Sequence, residues 1–355
     1  MKIAMIGDTH WGVRGDSLPF LNNMKNFLDD IFFPYLREND IKTVFHLGDM
    51  VDRRKYVNFN TANRLREDFL EPLRDFDCHF IVGNHDTSFK NTNSVNAMTE
   101  LVEGGRYPHI KVYVEPAEVE FDGLKFLMMP WICDENRAIA ERLFITSTAT
   151  VMVGHLEIAG FEMYKGSIVS HGEDVRRLNR FDTIISGHFH HRSTDGQVFY
   201  LGCPCEFTWS DYDDPKGFHV FDTETRELTF VRNPYTMFAK IWYNDSDEQE
   251  FIKTIEELDY ETFRDTYVKI IISEKRNPYL FDLLIHRLEE HGVLDIQTVD
   301  DHLNLNLEGD EDIVDEAEST LDTFRNFIDG TELPVDKVAL NDLFVELYGE
   351  ALQVA

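Results

Sequence analysis

The chain has 355 residues, 43% apolar, 13% aromatic and 28% charged, enough for two or three domains with folded cores. Its 28 Phe and 13 Tyr exclude disorder as the main state, and no apolar run approaches the ~18 residues of a membrane span. A formal charge of −32 excludes nucleic-acid binding by bulk electrostatics, because neutralisation of phosphates by Lys and Arg supplies most non-specific affinity.

The charge is unevenly spread. Residues 241–355 carry 30 acidic and 8 basic side chains, which marks a domain change near residue 240. The four cysteines (Cys78, Cys133, Cys203 and Cys205) form no CxxC pair and no disulfide-scaffold spacing. The N-terminus, MKIAMIGDTH, lacks the pattern of a signal peptide, so a reduced, cytoplasmic protein is expected.

In chain order, a short apolar, β-rich run five times precedes a glycine and metal-binding side chains. The segments are KIAMIGDTH (2–10), TVFHLGDM (43–50), HFIVGNHD (79–86), TVMVGHLE (150–157) and TIISGHFHH (183–191). Runs of β-formers without alternation predict strands buried on both faces. The glycine is expected to let the chain turn sharply as each strand ends. Helix-like stretches at 21–38 and 60–75 suit crossovers between parallel strands. Alternation and turn signals in VEFDGLKFLMMP, GQVFYLG and GFHVFDTETRELTFV predict a second, more antiparallel set.

Beyond 240, TYVKIIISE (266–274) reads as a strand and 278–292 as a helix closed by glycine, together a small α/β module. The stretch 303–316 is acidic and expected to be a solvated loop. Ile313, Ala317, Leu321, Phe324 and Ile328 then share one helical face, as do Leu340, Phe344, Leu347 and Ala351. Such stripes are either core or a surface that docks on a partner's helices.

The five strand ends deliver Asp8, His10, Asp49, Asn84, His85, His155, His188 and His190 to one edge, where open α/β sheets bind ligands. Asp8 and His10 stand i,i+2, as do His188 and His190, so on extended chain each pair would point one way. Carboxylates, one amide oxygen and imidazoles without thiolate suit manganese, iron or zinc in five- or six-coordinate sites. Seven such ligands with one bridging carboxylate suffice for two metals about 3.5–4 Å apart, the spacing of in-line phosphoryl displacement. A lone GD or GH dipeptide carries almost no information; the ordered set GDxH, GD, GNHD, GH and GHxH does. His46, His79, His191, His219, His109 and His171 are expected to be structural or surface residues.

The ordered set resembles the calcineurin-like metallophosphoesterases over about residues 1–230. The longer context, VGNHDTSFKN, MPWICDEN, VGHLEIAGFEMYKG, SGHFHH and DDPKGFHVFDTET, is similar to the SbcD-type recombination nucleases, phage members included. The resemblance implies a two-sheet β-sandwich flanked by helices (an α/β metallophosphoesterase fold), with a small α/β cap domain and a C-terminal helical pair. The corresponding divisions are 1–240 for the nuclease domain, 241–302 for a DNA-contacting cap, and 303–355 for an acidic linker and the pair that grips an SbcC-type coiled-coil ATPase.

It further implies two divalent metals, manganese first and magnesium or iron as alternatives. Asp8, His10, Asp49 and His190 would hold one, and Asp49, Asn84, His155 and His188 the other, with Asp49 as bridge. His85 would face the scissile phosphate, stabilising charge or protonating the leaving oxygen. Asp52 and Asp86 stand behind these residues; Asp86 either orients His85 or is a turn residue. The implied partners are DNA, the ATPase and a second copy of the chain. Departures are Cys203 and Cys205, which replace a small hydroxyl residue and read as packing residues, and the acidity, which points to a partner supplying DNA grip. A phosphomonoesterase or protein phosphatase on the same site, and a recruitment subunit with a vestigial nuclease, are the rival readings.

Overall fold

A computed structural model describes residues 1–102 and 105–300. The acidic stretch 303–316 and both amphipathic stripes lie outside the described residues.

All five glycine-ended runs are strands, divided between two six-stranded sheets. The first sheet runs in the order Leu228–Arg232, Gly217–Asp222, Lys2–Ile6, Thr43–His46, Asp77–Ile81 and Ile110–Tyr113, parallel from Lys2–Ile6 onward. The second runs Ser193–Thr194, Val198–Tyr200, Thr183–Gly187, Val151–His155, Leu124–Met129 and Ala117–Phe121. Its four inner strands are parallel and its outer ones antiparallel. The expected antiparallel set does not form a sheet of its own. Gly217–Asp222 and Leu228–Arg232 form a hairpin against Lys2–Ile6, while Ala117–Phe121 and Leu124–Met129 form one beside Val151–His155.

Lys2–Ile6 is buried on both faces, and each face has a different partner. Ile3 and Met5 join Phe45, Leu47 and Ile81 against Phe126, Met128, Val151, Val153 and Ile185 of the other sheet. Ala4 and Ile6 face the helices, with Phe27, Phe32, Phe33 and Phe69. The far side of the second sheet is covered by Ala140 and Phe144 of helix Arg137–Thr146. This is the expected sandwich.

The expected helix at 21–38 runs from Leu18 to Glu38, with a π turn at Leu28–Phe32 before Pro34. The stretch 59–75 repeats the pattern, a π turn at Leu65–Leu70 preceding Pro72. A proline lacks the N–H that the regular helical ladder needs, and the wider turn accommodates the break.

The third module is a parallel sheet of Phe238–Asn244, Tyr267–Glu274 and Asp295–Asp300. Helices Glu248–Glu257 and Pro278–Glu290 form its crossovers, capped by the Asp247 and Asn277 side chains. Its own core gathers Tyr243, Phe251, Ile255, Val268, Ile270, Leu280 and Leu284. The module begins at Phe238, three residues before the expected boundary, because that residue already pairs with Tyr267. Its foot is tied to the sandwich: the Met237 and Phe238 N–H groups donate to Glu206 Oε2 (2.7 and 3.0 Å), and Phe238 packs on Trp209.

Phe45 is fully buried between the sheets, against Phe121, Phe126 and His79. Phe45→Ala is expected to lower unfolding free energy by about 3–5 kcal/mol in urea titrations. A change below about 1 kcal/mol would show that the sheets do not depend on this contact.

Candidate metal centre

The parallel pairing of the first two strands continues past their ends. Asp8 N–H donates to Gly48 O (2.9 Å), His10 N–H to Asp49 O (3.1 Å) and Trp11 N–H to Met50 O (2.9 Å). Two loops thus run side by side, and the third is drawn in by Asp86. Its carboxylate accepts N–H groups from Asp49 (2.8 Å), Met50 (2.9 Å), Val51 (3.2 Å) and Gly83 (2.8 Å).

Of the five strand-ending glycines only Gly48 has a positive φ, 96°. The turn expected at the others is made instead by the side-chain-bearing residues: Asp8, His10, Asp49 and His188 have φ of 51°, 40°, 53° and 87°. Each such residue stores about 1–3 kcal/mol of backbone strain, which the surrounding packing must hold. What Gly83 and Gly187 provide is space. A Cβ on Gly83 would lie 2.3 Å from the Asp49 nitrogen, and one on Gly187 would lie 2.7 Å from Asp8 Oδ2.

Among the described residues four groups have their possible ligand atoms within 4.8 Å of one another, and two of them are made wholly of expected ligands: Asp8, His10 and His190, and Asp49, His155 and His188; the others are His10, Asp52 and His85, and His190, Cys203 and Asp211. Asn84 joins the second, its Oδ1 lying 2.8 Å from His155 Nε2 and 3.0 Å from His188 Nδ1. In the first, His10 Nε2 and His190 Nε2 face each other at 3.0 Å. Asp49 Oδ2 lies 3.2 Å from His155 Nε2 and 3.8 Å from His10 Nε2, so one oxygen stands between the clusters. Alternation does not explain the geometry. Asp8 and His10 meet off the extended region, and His188 and His190 part to different clusters because His188 sits at φ 87°.

The donor chemistry fits cations. His155 Nδ1–H is committed to Leu47 O at 2.7 Å, which aims the Nε2 lone pair of a neutral ring at the Asn84 and Asp49 oxygens. Lone pairs so arranged in a buried pocket repel unless a proton or a metal sits among them. Without metal, protons serve. Burial works against charge on His10, but Asp52, Asp49 and Asp8 push it up to about 9. His155 rises to about 9 likewise, burial being outweighed by Asp49 and Asp8. Burial and Asp49 push Asp8 up to about 7, while His155, His85 and His10 hold Asp49 well below the carboxylate range despite its burial.

His85 is half-buried beside this site, its ring edge-on to His10 at 4.8 Å. Its Nδ1 donates to Asp52 O at 2.7 Å, and Asp52 Oδ1 stands 3.5 Å from His10 Nδ1. The residue that orients His85 is therefore Asp52, through its backbone; Asp86 is consumed by the loop N–H groups. His46 pairs with Thr9, His79 with Tyr113 and His191 with Asp214, structural roles as expected. Cys203 and Cys205 are buried packing residues whose thiols burial pushes up.

Sequence reasoning missed Lys216. Its buried ammonium donates to His190 O (2.9 Å) and Asp214 Oδ2 (2.8 Å) and pairs with Asp211 Oδ1 (2.7 Å), fixing the backbone of a cluster residue. A lysine among aspartates reads as surface, and only the fold shows it buried.

A pH dependence follows. His10 and His155 have folded pKa values above the ordinary 6.5, so their stabilising contribution is complete below 6.5 and lost as pH rises through about 9. Metal-stripped protein is expected to lose thermal stability between pH 6.5 and 9, and divalent metal to restore it. A melting temperature flat across that range in EDTA would contradict the protonated-cluster account.

The profile of the Calcineurin-like phosphoesterase family matches residues 1–192. Exonuclease subunit 1 of Enterobacteria phage T4 is 33% identical over 359 residues, 99% of this chain and 100% of that protein. The SbcD component of the nuclease SbcCD from Staphylococcus epidermidis is 23% identical, over 71% of this chain and 74% of its own. Its counterpart from Staphylococcus saprophyticus is 21% identical, over 95% and 96%. Among the described residues no helix is long and apolar enough to cross a membrane. The chain is an enzyme of the calcineurin-like phosphoesterase family, which uses divalent metals, and it belongs there with the SbcD-type and phage exonuclease subunits.

Proposed function

We propose that the chain hydrolyses phosphodiester bonds in DNA at a dinuclear metal centre. The observation that carries this reading is one Asp49 oxygen lying between two N/O clusters, in a chain that aligns end to end with an exonuclease subunit. Asp8, His10, Asp49 and His190 hold one ion; Asp49, Asn84, His155 and His188 hold the other. Imidazoles with carboxylates and an amide oxygen, and no thiolate, suit manganese, with magnesium or iron as alternatives. When bound, the two ions supply a nucleophile from water near neutral pH and neutralise charge on the phosphate.

His85 does what the ions do not. With Nδ1–H held by the Asp52 carbonyl, Nε2 is the nitrogen left for the phosphate. From there it stabilises the developing charge or hands a proton to the leaving oxygen. Asp52 steadies His85 and His10 together, and Asp86 fixes the loop that carries Asp49.

The module from Phe238 is the cap over the DNA groove. The acidic chain gains most of its DNA affinity from an SbcC-type ATPase bound through residues 303–355, in a complex with two copies of each protein in the host-cell cytoplasm. Two relatives are named as parts of the nuclease SbcCD, which supports this partner class. A stand-alone phosphomonoesterase would need neither cap nor partner segment.

End-labelled duplex incubated with manganese, magnesium or EDTA tests the reading. Manganese-dependent nucleotide release is expected; hydrolysis of p-nitrophenyl phosphate without cleavage of DNA or of bis-p-nitrophenyl phosphate would overturn it. His85→Ala is expected to keep both ions and lose about 10²–10⁴ in rate. Loss of an ion in that variant would remove His85 from its role. Asp49→Asn is expected to weaken both ions at once, and full occupancy would deny the bridge.

A further inference from the structure

Each imidazole of the second cluster presents one ring nitrogen to the site, and the opposite nitrogen shows what holds it there. In His155 the inward atom is Nε2, and Nδ1–H is fixed by Leu47 O. His188 is turned the other way: Nδ1 lies 3.0 Å from Asn84 Oδ1, so as a ligand it must carry its proton on Nε2. That Nε2 is buried and makes no hydrogen bond in the structure, and Glu157 Oε2 lies 3.4 Å from it. The other Glu157 oxygen is 3.0 Å from Nε2 of exposed His171.

The backbone around Glu157 is clamped. Leu156 N–H donates to Ser186 Oγ (2.8 Å), Ile158 N–H to Tyr200 Oη (3.0 Å), and Glu173 N–H to Glu157 O (2.7 Å). Tyr200 Oη in turn donates to Leu156 O at 2.9 Å. Trp131 covers the remaining side of His188, the ring centroids 5.1 Å apart. The half-buried carboxylate itself borders a cavity of about 200 Å³ shared with Trp131, Arg137 and Leu156, so its side chain fills no core position.

We propose that Glu157 is the positioning residue of the second ion site. It accepts the His188 Nε2–H, which locks the tautomer with Nδ1 free for the metal and sets the ring's direction. The proposal rests on the dinuclear reading and adds a residue that composition and motif did not single out.

The test uses the full chain stripped with EDTA and titrated with manganese alone, followed by calorimetry and by electron paramagnetic resonance of the bound ion. Wild type is expected to take two ions. Glu157→Ala should bind the first as wild type does and the second about 10–100-fold more weakly, with an unchanged melting temperature when metal-free. Glu157→Gln, whose amide oxygen also accepts the Nε2–H, should recover to within a few-fold of wild type. Two ions at wild-type affinity in Glu157→Ala, equal weakening of both ions, or a glutamine variant no better than alanine would each overturn the assignment. A wild type that binds a single ion would instead overturn the dinuclear reading, and this proposal with it.

Discussion

The structure depends on a cluster of oxygen and nitrogen lone pairs held together where water is scarce. Asp8, His10, Asp49, Asn84 and His155 are all buried, and ring nitrogens and side-chain oxygens among them lie about as close to one another as hydrogen-bonded atoms would. Such an arrangement is unfavourable unless positive charge resides in it. Much of the fold can be understood as what keeps these groups from separating. The inter-sheet core brings two sets of parallel strand ends together. Asp86 ties two loops with four N–H bonds, and Lys216 secures a third by the His190 carbonyl.

The same constraint accounts for what was legible in the sequence. The strands were readable because a strand buried on both faces must be a continuous apolar run, and Lys2–Ile6, Thr43–His46 and Thr183–Gly187 are such runs. The residues of the site were readable because each follows such a run directly. Their directions were not. A period-two rule holds only on extended chain, and Asp8, His10 and His188 have left it. The supporting residues were hidden for a different reason. Lys216 acts on the His190 carbonyl, distant in sequence, and although Asp86 was placed behind the site, no local pattern separates a carboxylate that holds four N–H groups from one in a turn. The third module's first strand starts at Phe238, ahead of the change in charge near residue 240.

Acidity and function meet at this site. A chain of net charge −32 repels a polyanion at long range. On the proposed function, divalent ions held by the buried carboxylates and imidazoles would convert that liability into local positive charge where a phosphate would sit. The proposed function therefore divides the labour, with ions and His85 for the bond being cut and a partner for the length of the duplex.

The central claim is that Asp49 stands between two ions. Crystals of the full chain soaked in manganese, with anomalous scattering recorded at the manganese edge, test it most directly. The account expects two peaks, one against Asp8, His10 and His190 and the other against Asn84, His155 and His188, with Asp49 touching both. A single peak, or two peaks of which Asp49 contacts only one, would contradict it.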